Sequence, residues 1–376
     1  MRLVFLIYNT RNPAGGSYSI FKFAEYLANR GHNVTIFADL KPIYFYNHQL
    51  PKTIEIKYRG SLYGLFKGSS MLDQIWRFFY KKIVIEPFLK KNPIDFIIGF
   101  LRQEAITVVK LSKKFKIASV NFIFENPLWM ERVLGQKFIK EYKGKFKRSW
   151  KQTEIAYKQS DILLPNSELT RFECSIWLNR QIHEPIYPGV SVPENLKEIK
   201  EEYQIIYVGR LNEYKNVNEI IEALANINNP PKFVIVGSGE EHRKLKILAK
   251  INNVKCEFKG RLTDREKWVE IKKSLFMVFP TSFEGFGMPP MEALYCGVPC
   301  VCTDIPILRE IYDNKVEFFR EHDVEDLSNK MKFLIANPKY RKKRGKEGKK
   351  YIISKYTWEK AAKNIETVLI KHKGQK

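Results

Sequence analysis

What most constrains this chain is an alternation of short β-branched apolar runs with helical patterns that stops and then starts again. LVFLIY from Leu3, VTIFA from Val34, IASVNF from Ile117 and ILLP from Ile162 make the first series. QIIYVG from Gln204, KFVIVG from Lys232, VKCEF from Val254, LFMVF from Leu275 and VPCVC from Val298 make the second. Buried runs separated by amphipathic helices specify parallel strands with crossover helices, the α/β class. Between the first two strands, Ile20, Phe23, Ala24, Leu27 and Ala28 recur at i, i+3, i+4, i+7 and i+8 before a stop at Gly31, so this helix covers a sheet. Residues 183–203, with Pro185, Pro188, Gly189 and Pro193 and no lasting periodicity, read as the link between the series. The expectation is two doubly wound domains facing each other across a cleft. They span residues 1–190 and 191–355, with a C-terminal helix over 356–376 returning to the first.

The 376 residues are 44% hydrophobic and 28% charged, enough apolar material for two cores and unlike a disordered or collagen-like chain. A formal net charge of +24 calls for a negatively charged partner: a nucleotide or phosphorylated substrate, an anionic membrane face, or nucleic acid. From Asn337 onward 14 Lys and Arg stand against 3 Glu, yet Trp358, Ala362, Ile365 and Leu369 keep a helical spacing, so this tail reads as folded. Five cysteines, an odd number in a long chain, suit a reducing, cytoplasmic setting. The CGVPCVC cluster has no neighbouring His and reads as buried small residues, and the six scattered His show no metal-like spacing. MRLVFLIYNT reads as a buried strand, not a signal peptide, and no run approaches the ~18 apolar residues of a spanning helix.

The chemistry concentrates in FPTSFEGFGMPPMEALYCGVPCVCTDIP, where a strand leads through a glycine-containing loop into a helix. Free N–H groups at a helix N-terminus bind anions. Glu284 in the loop and Glu292 inside the helix, eight residues apart, can address two ends of one bound molecule. Carboxylates accept hydrogen bonds from vicinal hydroxyls, and Gly285 and Gly287 let backbone approach a phosphate closely. A second element, GRLNEYKN, brings Arg210 and Lys215 just after a strand, and two cations suit a diphosphate. On these residues alone, a capped surface helix with two solvated glutamates is the competing reading.

Taken in order, the segments resemble the large retaining GT-B glycosyltransferase family of the glycosyl transferases group 1 type. They are GGS at Gly15–Ser17, DILLPNSELTR at Asp161–Arg171, PGV at Pro188–Val190, GRLNEYKN, VGSGEE, FKGRLTD, the Glu-x7-Glu stretch and TDIPILREI. The resemblance covers nearly the whole chain. It implies a GT-B architecture of two Rossmann-like domains, the first binding an acceptor and the second a nucleoside-diphosphate sugar. By this resemblance Arg210 and Lys215 neutralise the donor diphosphate, Glu292 holds the ribose, and Glu284 touches the transferred sugar beside the amides of Phe286, Gly287 and Met288. Arg261 and Leu262 lie by the nucleobase, and Gly16 approaches the donor or acceptor from the other domain.

Cations and helix N-termini stabilise a departing diphosphate without a metal, and no Asp-x-Asp occurs in the sequence. The resemblance therefore implies metal-independent transfer with retention, no cofactor, and a glycan or lipid-linked acceptor. One departure stands out: many members of the family it resembles carry a His in the loop after the strand matching IASVNF, where NFIFENPLW here places Phe124. Glu125 and Asn126 are the polar neighbours; Glu125 either orients the acceptor or supports the transition state, or else pairs with a nearby Lys. In the first domain Trp76, Phe78, Phe79, Tyr80 and Phe88 interleave with Arg77, Lys81, Lys82, Lys90 and Lys91, and KFIKEYKGKFKRSWK adds more basic residues. These suit peripheral contact with an anionic membrane, the alternative being core aromatics with a solvated Lys face. Competing functions are an inactive, hydrolysing or epimerising GT-B relative, a nucleic-acid binder lacking any recognised motif, and a nicotinamide oxidoreductase. Against the last, GSGEEH places His242 where the dinucleotide fingerprint needs Gly.

Overall fold

A computed structural model describes residues 1–7, 15–38, 51–58, 78–100, 102–128, 148–191 and 199–375. The loop residues 9–14, Trp76, Arg77, residues 137–147 of the second basic segment and link residues 192–198 lie outside this described set. The chain divides into two compact units, Met1–Pro188 with Trp358–Lys376, and Gly189–Thr357.

In the first unit, β1 (Arg2–Ile7), β2 (Asn33–Ala38), β3 (Ile54–Tyr58), β4 (Phe96–Gly99), β5 (Ala118–Ile123) and β6 (Ile162–Pro165) form one sheet in the order β3-β2-β1-β4-β5-β6. Every pairing is parallel. Leu3–Ile7 and all of β4 and β6 are buried, as strands covered on both faces must be. The helices are α1 (Gly15–Asn29), α2 (Glu86–Lys91), α3 (Arg102–Phe115), α4 (Glu168–Leu178) and a further one over 148–158. The expected apolar stripe of α1 is buried along its length.

The last helix of the chain, Trp358–Gly374 (α12 below), belongs to this unit. Its Trp358 ring meets Phe23 and Tyr18 of α1, each at 5.7 Å between centroids. Arg30 pairs with Glu359 and Glu366, the His32 ring lies 2.8 Å from Glu366, and Lys373 pairs with Asp95 at 2.7 Å. Apolar residues of α12 are thus fixed by aromatic packing and its rim by charges.

The second unit repeats the plan with β7 (Gln204–Val208), β8 (Lys232–Val236), β9 (Cys256–Gly260), β10 (Met277–Phe279), β11 (Cys300–Thr303) and β12 (Glu317–Phe319), ordered β12-β11-β10-β7-β8-β9. Its helices are α5 (Val217–Ala225), α6 (His242–Ile251), α7 (Asp264–Lys273), α8 (Met288–Tyr295), α9 (Pro306–Tyr312), α10 (Val324–Ala336) and α11 (Pro338–Lys355). In each sheet the strand order reverses beside the first strand, where doubly wound folds open a crevice at the carboxyl ends. Cys300 and Cys302 lie fully buried in β11.

Although α11 reads from sequence as a basic helix, two glycines on one of its faces set its packing against α8. A Cβ at Gly345 would run into the Gly297 carbonyl, and one at Gly348 would stand 2.5 Å from Leu294. Arg341, buried in the same helix, donates to Leu334 O at 2.7 Å and to Glu201 at 2.9 Å. Gly345→Ala is therefore expected to lower stability by roughly 1–3 kcal/mol through overpacking, despite the higher helix propensity of alanine. Thermal melting checks this, and an unchanged or raised midpoint would contradict the packing argument.

Candidate active site

Main-chain hydrogen bonds join the loops at the carboxyl edge of the second sheet. Gly209 N–H donates to Val236 O at 3.0 Å, Leu211 N–H to Ser238 O at 3.0 Å, and Gly237 N–H to Gly260 O at 2.7 Å. GRLNEYKN, VGSGEE and FKGRLTD, remote in sequence, thereby form one layer. Gly237 has φ +142°, and a Cβ there would occupy the position of the Gly209 carbonyl, so this junction requires glycine.

Lys215 closes a single 3-10 turn, Glu213–Lys215, and is only 6% exposed. Its ammonium pairs with Glu284 and lies 4.8 Å from the Tyr214 ring centroid and 5.6 Å from that of Phe279. Burial pushes the Lys215 amine below the usual lysine range, an effect Glu284 opposes. Arg210 is exposed; it donates to the Tyr214 hydroxyl at 2.7 Å, while Tyr207 donates to the Arg210 carbonyl at 2.7 Å. One expected cation thus faces solvent, and the other is buried and already neutralised.

Asn216, which the sequence reading did not single out, connects these parts. Its backbone is left-handed (φ 50°), and its side-chain amide donates to Pro280 O at 3.0 Å and Ser282 Oγ at 2.7 Å. The available signal was an Asn between a turn and an apolar-periodic helix, since Asn tolerates this backbone and bonds locally. Through Asn216 the turn carrying Lys215 is tied to the loop carrying Glu284.

Gly287, with φ 83°, caps α8; a Cβ there would stand 2.7 Å from Leu308, and its carbonyl accepts from buried Tyr312. Pro289 and Pro290 carry no N–H, so the orphan donors at the start of this helix fall to Gly287 and Met288. Phe286 is buried, its ring 6.2 Å from Tyr356. One turn into α8, Glu292 pairs with Lys267 of α7 at 2.7 Å, and Lys267 also stands 3.5 Å from Asp264. The two glutamates therefore have separate cations, and Lys267 was not foreseen. Arg261 Nε donates to Ser238 Oγ at 3.2 Å. Leu262 lines a hollow of about 500 Å³ with Lys259, Arg265 and Val269, beside the edge strand β9.

Gly16 and Glu125 belong to the first unit, after β1 and β5 at the carboxyl edge of its sheet. A Cβ on Gly16 would meet Phe100 and Phe124 at 3.6 and 3.8 Å, ordinary contact distances, so packing inside this unit does not itself demand glycine. Phe124 sits in an aromatic cluster, 5.9 Å from Phe100 and 6.3 Å from Phe122. Glu125 pairs with Arg102 at 3.4 Å, and that guanidinium lies 4.6 Å from the Trp150 ring centroid. The partner of Glu125 is thus an arginine held against an indole. Neighbouring Asn126 is buried and donates to Glu173 at 2.8 Å.

Burial holds the Glu292 carboxyl above the usual carboxylate range, although Lys267 pulls it down. The folded state then keeps this proton longer than the unfolded chain, so this group's contribution to stability falls as pH rises from the ordinary value through the raised one. Glu292→Gln has no such proton. Its melting temperature relative to wild type is expected to shift in the variant's favour as pH rises from about 4 toward 7. Melting curves across that window test the assignment, and a pH-independent difference would refute it.

Residues 192–351 match the family described as glycosyl transferases group 1. Over 204 residues, 50% of this chain, the sequence is 30% identical to a Campylobacter jejuni protein named N-acetylgalactosamine-N,N'-diacetylbacillosaminyl-diphospho-undecaprenol 4-alpha-N-acetylgalactosaminyltransferase. That match spans 54% of the relative's length. Sucrose-phosphate synthase from Thermosynechococcus elongatus superposes with a TM-score of 0.81 at 17% identity, covering 100% of both chains. The Anabaena protein HepE in complex with UDP-glucose superposes with a TM-score of 0.76 at 14% identity, covering 99% of this chain and 100% of its own. The second unit thus carries a match to the glycosyl transferases group 1 family, and the chain, with two parallel six-stranded sheets of this kind, has the GT-B architecture.

Proposed function

We propose that this protein is a retaining, metal-independent glycosyltransferase that moves a sugar from a nucleoside-diphosphate sugar to a glycan or lipid-linked acceptor. The observation that carries the reading is buried Lys215 paired with Glu284 beside exposed Arg210, at the carboxyl edge of a doubly wound sheet. On donor binding the diphosphate takes Lys215 and Arg210, and sugar hydroxyls take Glu284. Ribose hydroxyls bond to Glu292, Gly287 and Met288 direct N–H groups at the diphosphate, and Phe286, Arg261 and Leu262 shape the base and sugar walls.

In the transfer step the bond from the anomeric carbon to the diphosphate oxygen breaks, and the acceptor oxygen bonds to that carbon on the same face. The acceptor proton passes to the departing phosphate oxygen. The leaving group's growing negative charge is met by Lys215 and Arg210, a pre-formed electrostatic site that needs no reorganisation of water. Gly16 and Glu125 serve the acceptor side, with Glu125 held by Arg102. HepE, solved with UDP-glucose, supports a nucleotide sugar as donor. The Campylobacter relative, named for a diphospho-undecaprenol substrate, supports a lipid-linked acceptor.

A lipid-linked acceptor calls for contact with a membrane surface. Phe78, Phe79 and Ile83 are exposed, and Lys81 and Lys82 lie 5.3 and 5.8 Å from the Phe78 ring centroid. Tyr80 instead turns inward and donates to Lys57 O at 2.9 Å, and Phe88 packs 5.3 Å from Phe37. The segment therefore has an apolar-basic outer face and an inner face committed to the core. No helix among the described residues is long and apolar enough to cross a membrane; on the apolar-basic outer face rests the proposal of peripheral contact, on the cytoplasmic side.

Calorimetry and thermal shift against UDP-, GDP- and ADP-sugars, with and without EDTA, test the donor assignment. One nucleotide class should bind, and binding should survive EDTA and be lost in Glu292→Ala; binding that needs a divalent metal would overturn metal independence. Lys215→Ala and Arg210→Ala are each expected to lower turnover by about 10²–10³-fold. Glu284→Gln, which frees the Lys215 charge, is expected to bind the nucleoside diphosphate more tightly while turning over the nucleotide sugar more slowly. Phe78→Ser with Phe79→Ser should reduce co-sedimentation with anionic vesicles, and unchanged sedimentation would remove the membrane arm.

A further inference from the structure

A buried carboxylate stands directly behind this site without a role so far. Glu219, in the first turn of α5, is 5% exposed; its Oε1 lies 2.7 Å from His322 Nδ1, and its Oε2 has no hydrogen-bond partner among the described residues. Burial raises its carboxyl above the usual range, an effect His322 opposes. An apolar side chain would cover this part of the helix at lower cost, because a half-paired buried carboxylate is penalised.

His322 is itself unusual. It follows β12, its side chain is 61% exposed, and its backbone is left-handed with φ 59°, a conformation uncommon outside glycine. The turn is built to hold it there. Arg320 N–H donates to Asp326 at 2.9 Å, Arg320 pairs with Asp323 at 2.7 Å, and Asp323 caps α10 by accepting from Asp326 N–H at 2.8 Å. The second ring nitrogen, Nε2, lies 3.3 Å from Ser282 Oγ and 3.7 Å from Glu321.

One set of proton positions satisfies the chain. Asn216 donates to Ser282 Oγ, Ser282 donates to His322 Nε2, and His322 Nδ1–H donates to Glu219. Its far end is the residue after Lys215, and Ser282 stands two residues before Glu284. We infer that His322 is a positioning residue for the donor site: by bridging Glu219 to Ser282 it fixes, through Asn216, the separation of Lys215 and Glu284. The inference rests on the proposed donor role of these two residues. The imidazole acts through Ser282 and Asn216 and does not contact the reacting atoms. Its exposed edge leaves it open to solvent, and this makes the role accessible to chemical rescue.

Calorimetric titration with UDP, GDP and ADP tests this on the full chain. His322→Ala and Glu219→Gln are expected to bind the diphosphate preferred by wild type about tenfold more weakly, the size of one lost charge-assisted hydrogen bond. Millimolar imidazole should restore binding to His322→Ala and not to Glu219→Gln, which a purely structural role would not produce. Should His322→Ala fail to fold, Ser282→Ala, which removes one hydroxyl, carries the test with the same weakening and an unchanged melting temperature. If the folded variants bind like wild type, or imidazole restores nothing, the inference fails while the donor assignment stands. If wild type binds none of the three diphosphates, the donor assignment fails and takes the inference with it.

Discussion

A parallel sheet covered by helices on both faces leaves polar groups few places to go. Leu3–Ile7, the β4 and β6 strands and their counterparts β7 and β10 are buried throughout, so charged side chains cannot project from the strand bodies. Polar chemistry is displaced to the loops beyond the carboxyl ends. There the backbone has spare N–H groups, helices begin, and three glycine-bearing loops lock together through main-chain bonds. The clustering of Arg210, Lys215, Glu284 and Glu292 at one edge is a consequence of this exclusion as much as of their chemistry.

The charges at that edge are arranged in pairs. Lys215 with Glu284 and Lys267 with Glu292 each place one buried or half-buried cation against one carboxylate. Without its partner either member would carry a desolvation penalty, and with it the pair is close to neutral. The unit therefore remains folded with a strongly polar site, at the cost that any ligand must compete with an internal counter-ion. Arg210, exposed and with its guanidinium bonded to the Tyr214 hydroxyl, supplies a standing positive charge at this edge.

Much of this was legible in the sequence because it rests on local rules. The α1 stripe from Ile20 to Ala28, the restart at Gln204 and the loop-to-helix passage at Glu284 follow from periodicity and turn chemistry, and the structure has strands and helices there. What was not legible depends on residues distant in sequence. Lys267 reads as one Lys among many on an ordinary capped helix until α7 and α8 are packed, and His322 lies 103 residues from its carboxylate. Asn216 is quoted within a motif, but its two hydrogen bonds to residues 280 and 282 exist only once β7 and β10 are neighbours. Gly345 and Gly348 appear as interruptions in a lysine-rich helix, whereas their role is to admit another backbone and side chain.

The return of α12 to the first unit also dictates an order of assembly during synthesis. The second unit is one uninterrupted stretch, while the first needs both ends of the chain. Tyr18 and Phe23 wait for Trp358, and Arg30 and His32 wait for Glu366. At ~5–20 residues per second, the intervening second unit occupies the ribosome for on the order of ten to thirty seconds. During that interval α1 carries an uncovered aromatic face. In a nascent chain of this kind the contiguous second unit has all its residues before the first unit does, and the Tyr18 and Phe23 side of α1 gains its Trp358 contacts only after α12 has emerged.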